Sequence, residues 1–507
     1  MNTVKLDTTG NTTKTLVKVA IIGGGITGLA AAHRLTRAST ASCHFEVSLF
    51  EAESRVGGII STRYEKNCTL EDGPDSFVTF KPAAVELCHE LGLKDTIVST
   101  NAQFRRAFVA WKGQLEPIPE GFNMIAPTRF DKLFASKLFS RIGKLRMAFE
   151  RFIPPGPKLD DESVASFVRR RFGQEALTRI GQPLIGGIYT ADPETLSIQA
   201  TLPKYPDYEQ QYGSVTMGLL AEKASTHKTS ASVTGFSDYC QTENDFNSNS
   251  GARYSAFISF DKGLQVLLDK LTESIGASNI HTNTKIDEVK FMKEARQWSL
   301  RLSSGESKTF DHVMITTPSF VAAELLEAVD SRLADDLSKI EYASSAVLNF
   351  LFEREQIQHA LDGFGFVVPA EENRQILAGS FYSVKLANRC LDNQVIVRVF
   401  LGGAMQEEIL QNDDQTLIKI ALSELNDYVK FTGAPLSTWV KRYERSMPQY
   451  KINHRVLSER LQTTVKKFPG LHISGAYLNG VGIPDCIANA NKACASLIQS
   501  LCLKNQQ

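Results

Sequence analysis

Val19-Ala20-Ile21-Ile22-Gly23-Gly24-Gly25-Ile26-Thr27-Gly28-Leu29-Ala30-Ala31-Ala32 joins an apolar, β-branched run to spaced glycines and an alanine-rich helix start. Three of the glycines have separate physical reasons. Gly23 permits a tight turn, Gly25 lets the backbone approach a pyrophosphate, and Gly28 lets the helix lie close against the strand. The helix N-terminus then offers free N–H groups and the positive end of its dipole to an anion. A second extended run, Phe45-Glu46-Val47-Ser48-Leu49-Phe50, ends at Glu51, whose carboxylate can accept hydrogen bonds from ribose hydroxyls. Strand, turn, helix and acid together predict a dinucleotide site rather than a structural turn alone.

The flanks narrow the dinucleotide. Glu51-Ala52-Glu53-Ser54-Arg55-Val56-Gly57-Gly58 places an arginine and a glycine pair after the acid, and Leu70-Glu71-Asp72-Gly73-Pro74-Asp75-Ser76-Phe77 follows. Nicotinamide enzymes do not usually carry these segments. They resemble the FAD-binding segment of the amine oxidase and phytoene desaturase superfamily, in which such a loop lies along the diphosphate and the flavin. Near the other end, Leu471-His472-Ile473-Ser474-Gly475-Ala476 reads as a short strand and a small-residue turn. Gly480-Val481-Gly482-Ile483-Pro484-Asp485-Cys486-Ile487 then leads into an alanine-rich helix, with Pro484 suited to its first turn. The two ends of the chain are expected to build one domain. A helix aimed at a flavin ring favours the anion formed on reduction by about 0.3–1 kcal/mol, and up to about 2 kcal/mol when buried.

Composition bounds the rest. A chain of 507 residues exceeds one ordinary domain, and 42% hydrophobic with 22% charged residues describes a folded globular protein. Zero net charge argues against a global pull toward nucleic acid. The 8 cysteines contain no CxxC pair and the 9 histidines no HxxxH pattern, so reduced thiols, a cytoplasmic setting and no metal site are expected. No uncharged apolar run is long enough to predict a transmembrane span.

Along the chain, residues 1–15 read as a loose tail rich in Thr and Asn. The pattern is mostly helical over 85–205, as at Ala83–Cys88 and Ser163–Val168. Within it, Arg129, Lys132, Lys137, Arg141, Lys144, Arg146 and Arg151 alternate with Phe and Leu. This stretch reads as a membrane-surface helix, a mouth for an anionic substrate, or a solvated face of a packed helix. Residues 221–253 shift to Ser, Thr, Asn and Lys and read as a surface insertion. An amphipathic helix resumes at Asp261–Leu267, and Asn283–Val289 reads as a returning strand of the nucleotide domain. Alternation over 344–352, 362–369 and 394–401 predicts an antiparallel sheet.

Taken in order, GGGITGLAAA, EAESRVGG, EDGPDSF, Pro183-Leu184-Ile185-Gly186-Gly187-Ile188-Tyr189-Thr190-Ala191-Asp192-Pro193, Ser446-Met447-Pro448-Gln449-Tyr450 and GVGIPDCI resemble the oxygen-dependent protoporphyrinogen oxidase family. The GPDSF and MPQY forms are closest to its bacterial, coproporphyrinogen III-oxidising branch. The resemblance spans residues 16–502. It implies an α/β and α+β fold of the amine oxidase type, with a split Rossmann-like FAD domain, an antiparallel-sheet substrate domain and a helical domain. The corresponding divisions are an FAD-binding domain over 16–84, 256–318 and 446–507, a helical substrate- or membrane-facing domain over 85–205, and a substrate domain over 206–255 and 319–445. The implied FAD contacts are Gly23, Gly24, Gly25, Ile26, Thr27, Gly28, Glu51, Ala52, Arg55, Gly58, Gly73, Pro74, Asp75, Ser76, Ile286, Gly482, Ile483 and Pro484. Tyr443 stands where the bacterial branch often has tryptophan, which keeps an aromatic contact. Arg106, within Phe104-Arg105-Arg106-Ala107-Phe108, stands where protoporphyrinogen-using members pair an arginine with a propionate, and a guanidinium can hold a carboxylate through two parallel hydrogen bonds.

The implied reaction removes six electrons from a porphyrinogen in three two-electron rounds, with dioxygen as acceptor and hydrogen peroxide as product. The cofactor carries that chemistry, consistent with the lack of a Ser-His-Asp or paired-carboxylate site. The expected substrate contacts are Arg106 and the backbone of Gly186 and Gly187. Coproporphyrinogen III and protoporphyrinogen IX both remain open, as do peripheral contact with the inner face of a membrane and a homodimer. Two rivals stand beside this reading: a flavin amine oxidase or carotenoid desaturase, and an FAD-fold escort module without redox function.

Overall fold

The computed structural model describes residues 15–38, 43–157, 159–229 and 257–504. The opening apolar run is the strand Thr15–Ile22, with Val17, Val19, Ala20, Ile21 and Ile22 buried on both faces, as an inner parallel strand requires. It pairs in parallel with Cys43–Phe50 on one side and His312–Ile315 on the other. Ile280–His281 and Leu471–Ile473 complete a five-stranded parallel sheet at its two edges. Helix Ile26–Arg37 buries Leu29, Ala31 and Leu35 in one core with Ile487, Ala490, Cys494 and Leu497 of helix Ile483–Lys504. Segments from both ends of the chain therefore share a sheet and a core.

The run expected as a returning strand of the nucleotide domain is a strand that stands outside the parallel sheet and shares a core with Ala20, Ile22 and Phe50. Ile286–Met292 forms an antiparallel meander with Gln297–Leu302 and Ser307–Phe310. Tight reversals at Arg296 (φ 55°) and Gly305 (φ 89°) turn the chain back at once, whereas parallel pairing needs a long crossover.

A second sheet has seven strands in the order Ser437–Pro448, Tyr342–Glu353, Gln394–Gly402, Ile376–Phe381, Gly365–Val367, Phe108–Trp111, Gln114–Pro117. All its pairs are antiparallel except Gly365–Val367 with Phe108–Trp111. The hairpin over 108–117 was expected to be helical. Lys112 (φ 52°) and Gly113 (φ 74°) form the two-residue reversal that suits a hairpin's twist. One face of this sheet packs Ala346, Leu348, Phe350 and Phe352 against Leu417, Ala421 and Leu425 of helix Asp414–Val429.

The third part holds helices Phe130–Ala135, Arg141–Ala148, Val164–Phe172, Gln182–Tyr189, Lys204–Tyr212 and Val215–Thr229. A buried ion cluster ties them together. Arg171 is 0% exposed; its Nε donates to Glu150 Oε1 at 2.8 Å and its Nη1 to Glu209 Oε1 at 3.2 Å. Glu150 in turn accepts from the Ser214 hydroxyl at 2.5 Å and from Val215 N–H at 3.0 Å. On the outside of this part, Ile142 is 81% and Phe152 64% exposed, with Leu145 and Phe149 beside them. No helix among the described residues is long and apolar enough to cross a membrane. Positions 221–229 of the expected insertion continue helix Val215–Thr229; its remainder, and residues 1–14 of the expected tail, lie outside the described residues.

Candidate functional site

A cavity of about 2820 Å³ opens at the carboxyl ends of the parallel strands and extends between the seven-stranded sheet and the helices. This is the crevice where open α/β sheets bind ligands. Its first wall is the glycine turn: Ile22, Gly23, Gly25, Ile26 and Thr27 all face it. Gly23 has φ +110°, and Thr316 Oγ1 pins the turn by donating to the Ile22 and Gly23 carbonyls at 3.0 and 2.9 Å. A Cβ on Gly28 would collide with the Gly23 carbonyl oxygen, so this position packs helix against turn. A Cβ on Gly25 would meet nothing within 4 Å, so its backbone is open to a ligand. No acidic side chain occupies the first turn of helix Ile26–Arg37, which leaves its positive end to the cavity.

The Glu51 carboxylate sits at the edge of this wall, oriented by backbone amides. Gly24 N–H donates to Oε2 at 2.6 Å and Glu53 N–H to Oε1 at 2.9 Å. Each oxygen retains a second lone pair for a hydroxyl. Ala52 and Gly58 line the cavity beside it. Arg55 does not: its guanidinium donates to the Val56, Gly58 and Ile60 carbonyls at 3.1, 2.6 and 3.0 Å and so shapes the loop that presents Gly57 and Gly58. Gly24 and Gly28 likewise support the wall from behind.

The segment Gly73–Ser76 is clamped from the strand Gln394–Gly402 of the other sheet and from the short helix Tyr382–Lys385. Burial alone would raise the Asp75 carboxyl, but Lys385 Nζ at 2.6 Å and Arg398 Nη1 at 3.1 Å hold it well below the usual carboxylate range. Arg398 Nη2 also donates to the Gly73 carbonyl at 2.6 Å. Gly73, Pro74 and Ser76 thus face the cavity while Asp75 is turned into the clamp. Ile286 lines the far end, and Tyr443 lines the wall with its hydroxyl 3.3 Å from the Ile59 carbonyl oxygen. Gly482, Ile483 and Pro484 bring the start of the final helix to the cavity, where Gly482 N–H donates to Asp485 Oδ2 at 3.2 Å.

The expected substrate contacts divide. Gly187 faces the cavity at the end of helix Gln182–Tyr189, whereas Gly186 is buried inside that helix and does not line it. Arg106 also lies outside the lining; its Nε donates to the Asp362 carbonyl at 2.6 Å and its guanidinium pairs with the Asp362 carboxylate.

Residues that the sequence reading did not single out complete the wall. His454 stacks on Tyr450 with ring centroids 4.0 Å apart, and burial lowers it to about 4, so it is neutral at neutral pH. Burial pushes the Cys486 thiol up to about 11, which excludes a thiolate. A histidine four residues beyond the tyrosine of SMPQY, on the same helix entry, was the available signal. Ser345, Val347 and Phe400 contribute the face of the seven-stranded sheet turned away from its helix.

The cradle suits FAD on its own chemistry. The open backbone at Gly25 and two helix starts suit a pyrophosphate, and the oriented Glu51 carboxylate suits a ribose. The buried Thr317 hydroxyl, on the cavity wall, has no hydrogen-bond partner within the protein. The comparisons with known proteins agree. The model of the flavin containing amine oxidoreductase family matches residues 26–498. The coproporphyrinogen III oxidase of Bacillus subtilis (strain 168) is 30% identical over 95% of this chain and 98% of its own. Protoporphyrinogen oxidase 2 of Arabidopsis thaliana is 26% identical over 96% of this chain and 94% of its own. A crystal structure from Exiguobacterium sp. 255-15, assigned there as a protoporphyrinogen oxidase, superposes with a TM-score of 0.79 at 27% identity, over 96% of this chain and 99% of that one. The chain therefore belongs to the flavin containing amine oxidoreductase family, as an FAD-dependent oxidoreductase of the protoporphyrinogen and coproporphyrinogen III oxidase group.

Proposed function

We propose that this protein oxidises coproporphyrinogen III to coproporphyrin III in heme synthesis, with dioxygen as acceptor and hydrogen peroxide as product. The observation that carries the reading is the size of the cavity, about 2820 Å³, against roughly 300–1,000 Å³ for ordinary small-molecule sites. That volume accommodates a dinucleotide and a tetrapyrrole together. The name of the Bacillus subtilis relative supports the choice of substrate. Protoporphyrinogen IX is the second reading, favoured by the Arabidopsis thaliana relative.

In this proposal Gly23, Gly25, Ile26 and Thr27 receive the pyrophosphate, Glu51 and Ala52 the ribose, and Ile286 the adenine. Gly58, Gly73, Pro74, Ser76, Tyr443, Gly482, Ile483 and Pro484 surround the rest of the cofactor. Gly24, Gly28, Arg55 and Asp75 act by holding those segments in place. Bound FAD supplies the two-electron acceptor, used three times per macrocycle; the six electrons and six protons leave as three hydrogen peroxide from three dioxygen. The protein's own part is orientation and exclusion of water. Gly187 leaves room for the macrocycle at the end of its helix, and the Val347 and Phe400 side chains offer it an apolar floor.

The test is anaerobic mixing of the holoenzyme with each porphyrinogen. Coproporphyrinogen III should bleach the flavin and yield porphyrin fluorescence faster than protoporphyrinogen IX. The reverse order favours the second reading, and a flavin bleached by neither removes both. Outside the cavity, exposed Ile142, Leu145, Phe149 and Phe152 among Arg141, Lys144 and Arg151 support peripheral attachment of a cytoplasmic protein to the inner face of a membrane.

A further inference from the structure

The strand Ser437–Pro448 pairs regularly with Tyr342–Glu353 as far as Tyr443 opposite Ser345, and resumes at Met447 opposite Ala343. Ser344 alone therefore faces Glu444, Arg445 and Ser446. A bulge of this kind bends a strand and re-aims a side chain. Arg445 sits at its centre with φ 43°, a conformation few side chains adopt, and its N–H donates to the Ser344 hydroxyl at 3.1 Å.

The bulge delivers the Arg445 guanidinium to the cavity wall. Its Cζ lies 3.8 Å from the centroid of the Phe320 ring, well within cation–π reach. Phe320 is itself fixed by Tyr342, which meets it edge-on with centroids 5.2 Å apart, and the Tyr342 hydroxyl accepts from Ser319 N–H at 2.8 Å. Among the described residues no carboxylate lies within ion-pair distance of Arg445. Among the other cations lining the cavity, Lys81 is matched by Asp485, Arg129 by Glu120, Lys204 by Glu222, Lys285 by Asp287 and Arg455 by Glu459, whereas Lys223, Lys466 and Lys492 have no ion pair among the described residues and no ring to fix them. Arg106, the cation expected from the sequence to clamp a propionate, is matched by Asp362.

We infer that Arg445 is a carboxylate anchor, taking a propionate of the porphyrinogen in a two-pronged hydrogen bond; this rests on the porphyrinogen reading above. A stacked guanidinium keeps its planar fork pre-oriented, and its geometry matches a carboxylate. The residue belongs to the seven-stranded sheet, whose Ser345, Val347 and Phe400 form the floor assigned to the macrocycle.

The test titrates FAD-loaded protein with coproporphyrin III, which retains the four propionates, and with its tetramethyl ester, which lacks the charge. Arg445→Gln should weaken coproporphyrin III roughly 10- to 100-fold, the range of a charged hydrogen bond. Arg445→Lys should restore part of that loss, and the ester should bind wild type and Arg445→Gln alike. Equal affinity of wild type and Arg445→Gln for the tetra-acid overturns the inference. So does an Arg445→Gln protein that folds but no longer retains FAD, since the arginine would then serve the cofactor. If the wild type binds no coproporphyrin III and oxidises neither porphyrinogen, the functional reading itself falls, and the anchor with it.

Discussion

Glu150→Ala removes the acidic centre of the buried cluster that joins the helices over the cavity. In the intact protein the Glu150 carboxylate accepts from Arg171, from the Ser214 hydroxyl and from Val215 N–H. Arg171, 0% exposed, would be left with Glu209 at 3.2 Å and with main-chain carbonyls: Ile153 and Gly213 at 3.0 Å, residue 150 at 3.2 Å and Pro154 at 3.3 Å. Breaking a buried pair from one side costs about 3–5 kcal/mol. The surviving contact to Glu209, which also serves Arg170, puts the expected loss near 3 kcal/mol by the same rule. The paired replacement Glu150→Leu with Arg171→Met removes both charges and should recover most of it. Because the cluster ties Phe149–Phe152 to the start of helix Val215–Thr229, the damage should appear as local opening. Amide hydrogen exchange should accelerate over 141–153 and 213–220 in Glu150→Ala, with a lower urea midpoint, and return toward wild type in the double variant. Unchanged exchange in Glu150→Ala, with stability within about 1 kcal/mol of wild type, would refute the assignment of the cluster as the tie.

Gly28→Ala forces a Cβ against the Gly23 carbonyl oxygen; the purified protein should carry little flavin, and a wild-type ratio of flavin to protein absorbance would contradict the packing argument. Glu71 is buried, and desolvation raises its carboxyl from 4.5 to about 7 despite hydrogen bonds from Leu264 N–H and the Thr62 hydroxyl. The folded state then holds a proton that the unfolded state releases, so stability falls as pH rises from about 4.5 to about 7, by about 3 kcal/mol in all. Glu71→Gln should flatten that slope in urea titrations across this range; a slope equal to that of the wild type would remove the argument. Ile142→Asp with Phe152→Asp should weaken sedimentation with anionic vesicles at least about tenfold, given about 1.5–3 kcal/mol per apolar side chain buried; wild-type protein that ignores such vesicles argues for a merely solvated face. Arg106→Ala should leave coproporphyrin III affinity within about twofold, since an exposed ion pair contributes little; a larger loss would return the propionate to Arg106.

The turn at Gly23–Gly28 was legible because its glycines answer local demands, a tight turn at Gly23, an open backbone at Gly25 and close packing at Gly28, and the acid that completes it lies one strand away in sequence. The same local logic identified the final helix start at Gly482–Pro484. Where the requirement is met across the molecule, the sequence is mute. Nothing near Asp75 announces that its partners are Lys385, in the short helix Tyr382–Lys385, and Arg398, in the strand Gln394–Gly402 of the second sheet. The hairpin at Lys112–Gly113 did carry a turn signal, but its short strands, flanked by helical patterns, were absorbed into them. Arg445 was invisible for a third reason. Its direction depends on a change of register between two strands, and alternation along one strand says nothing about its neighbour's count.

The order of strands in the parallel sheet also governs how the protein can be made. Thr15–Ile22 and Cys43–Phe50 can pair as soon as they emerge, since one short helix links them. Their outer neighbours, Ile280–His281 beside Cys43–Phe50 and His312–Ile315 beside Thr15–Ile22, are synthesised far later, and Leu471–Ile473 with its helix later still. Until then both edges of the strand pair and the apolar flank of helix Ile26–Arg37 wait uncovered, the condition in which nascent chains aggregate. Pairings between such distant segments are also slow to form. A chaperone that shields the first ~50 residues, a length set by this early strand pair, should raise the yield more than one that acts on the finished chain, and the cofactor cradle is complete only once Gly482–Pro484 has joined it.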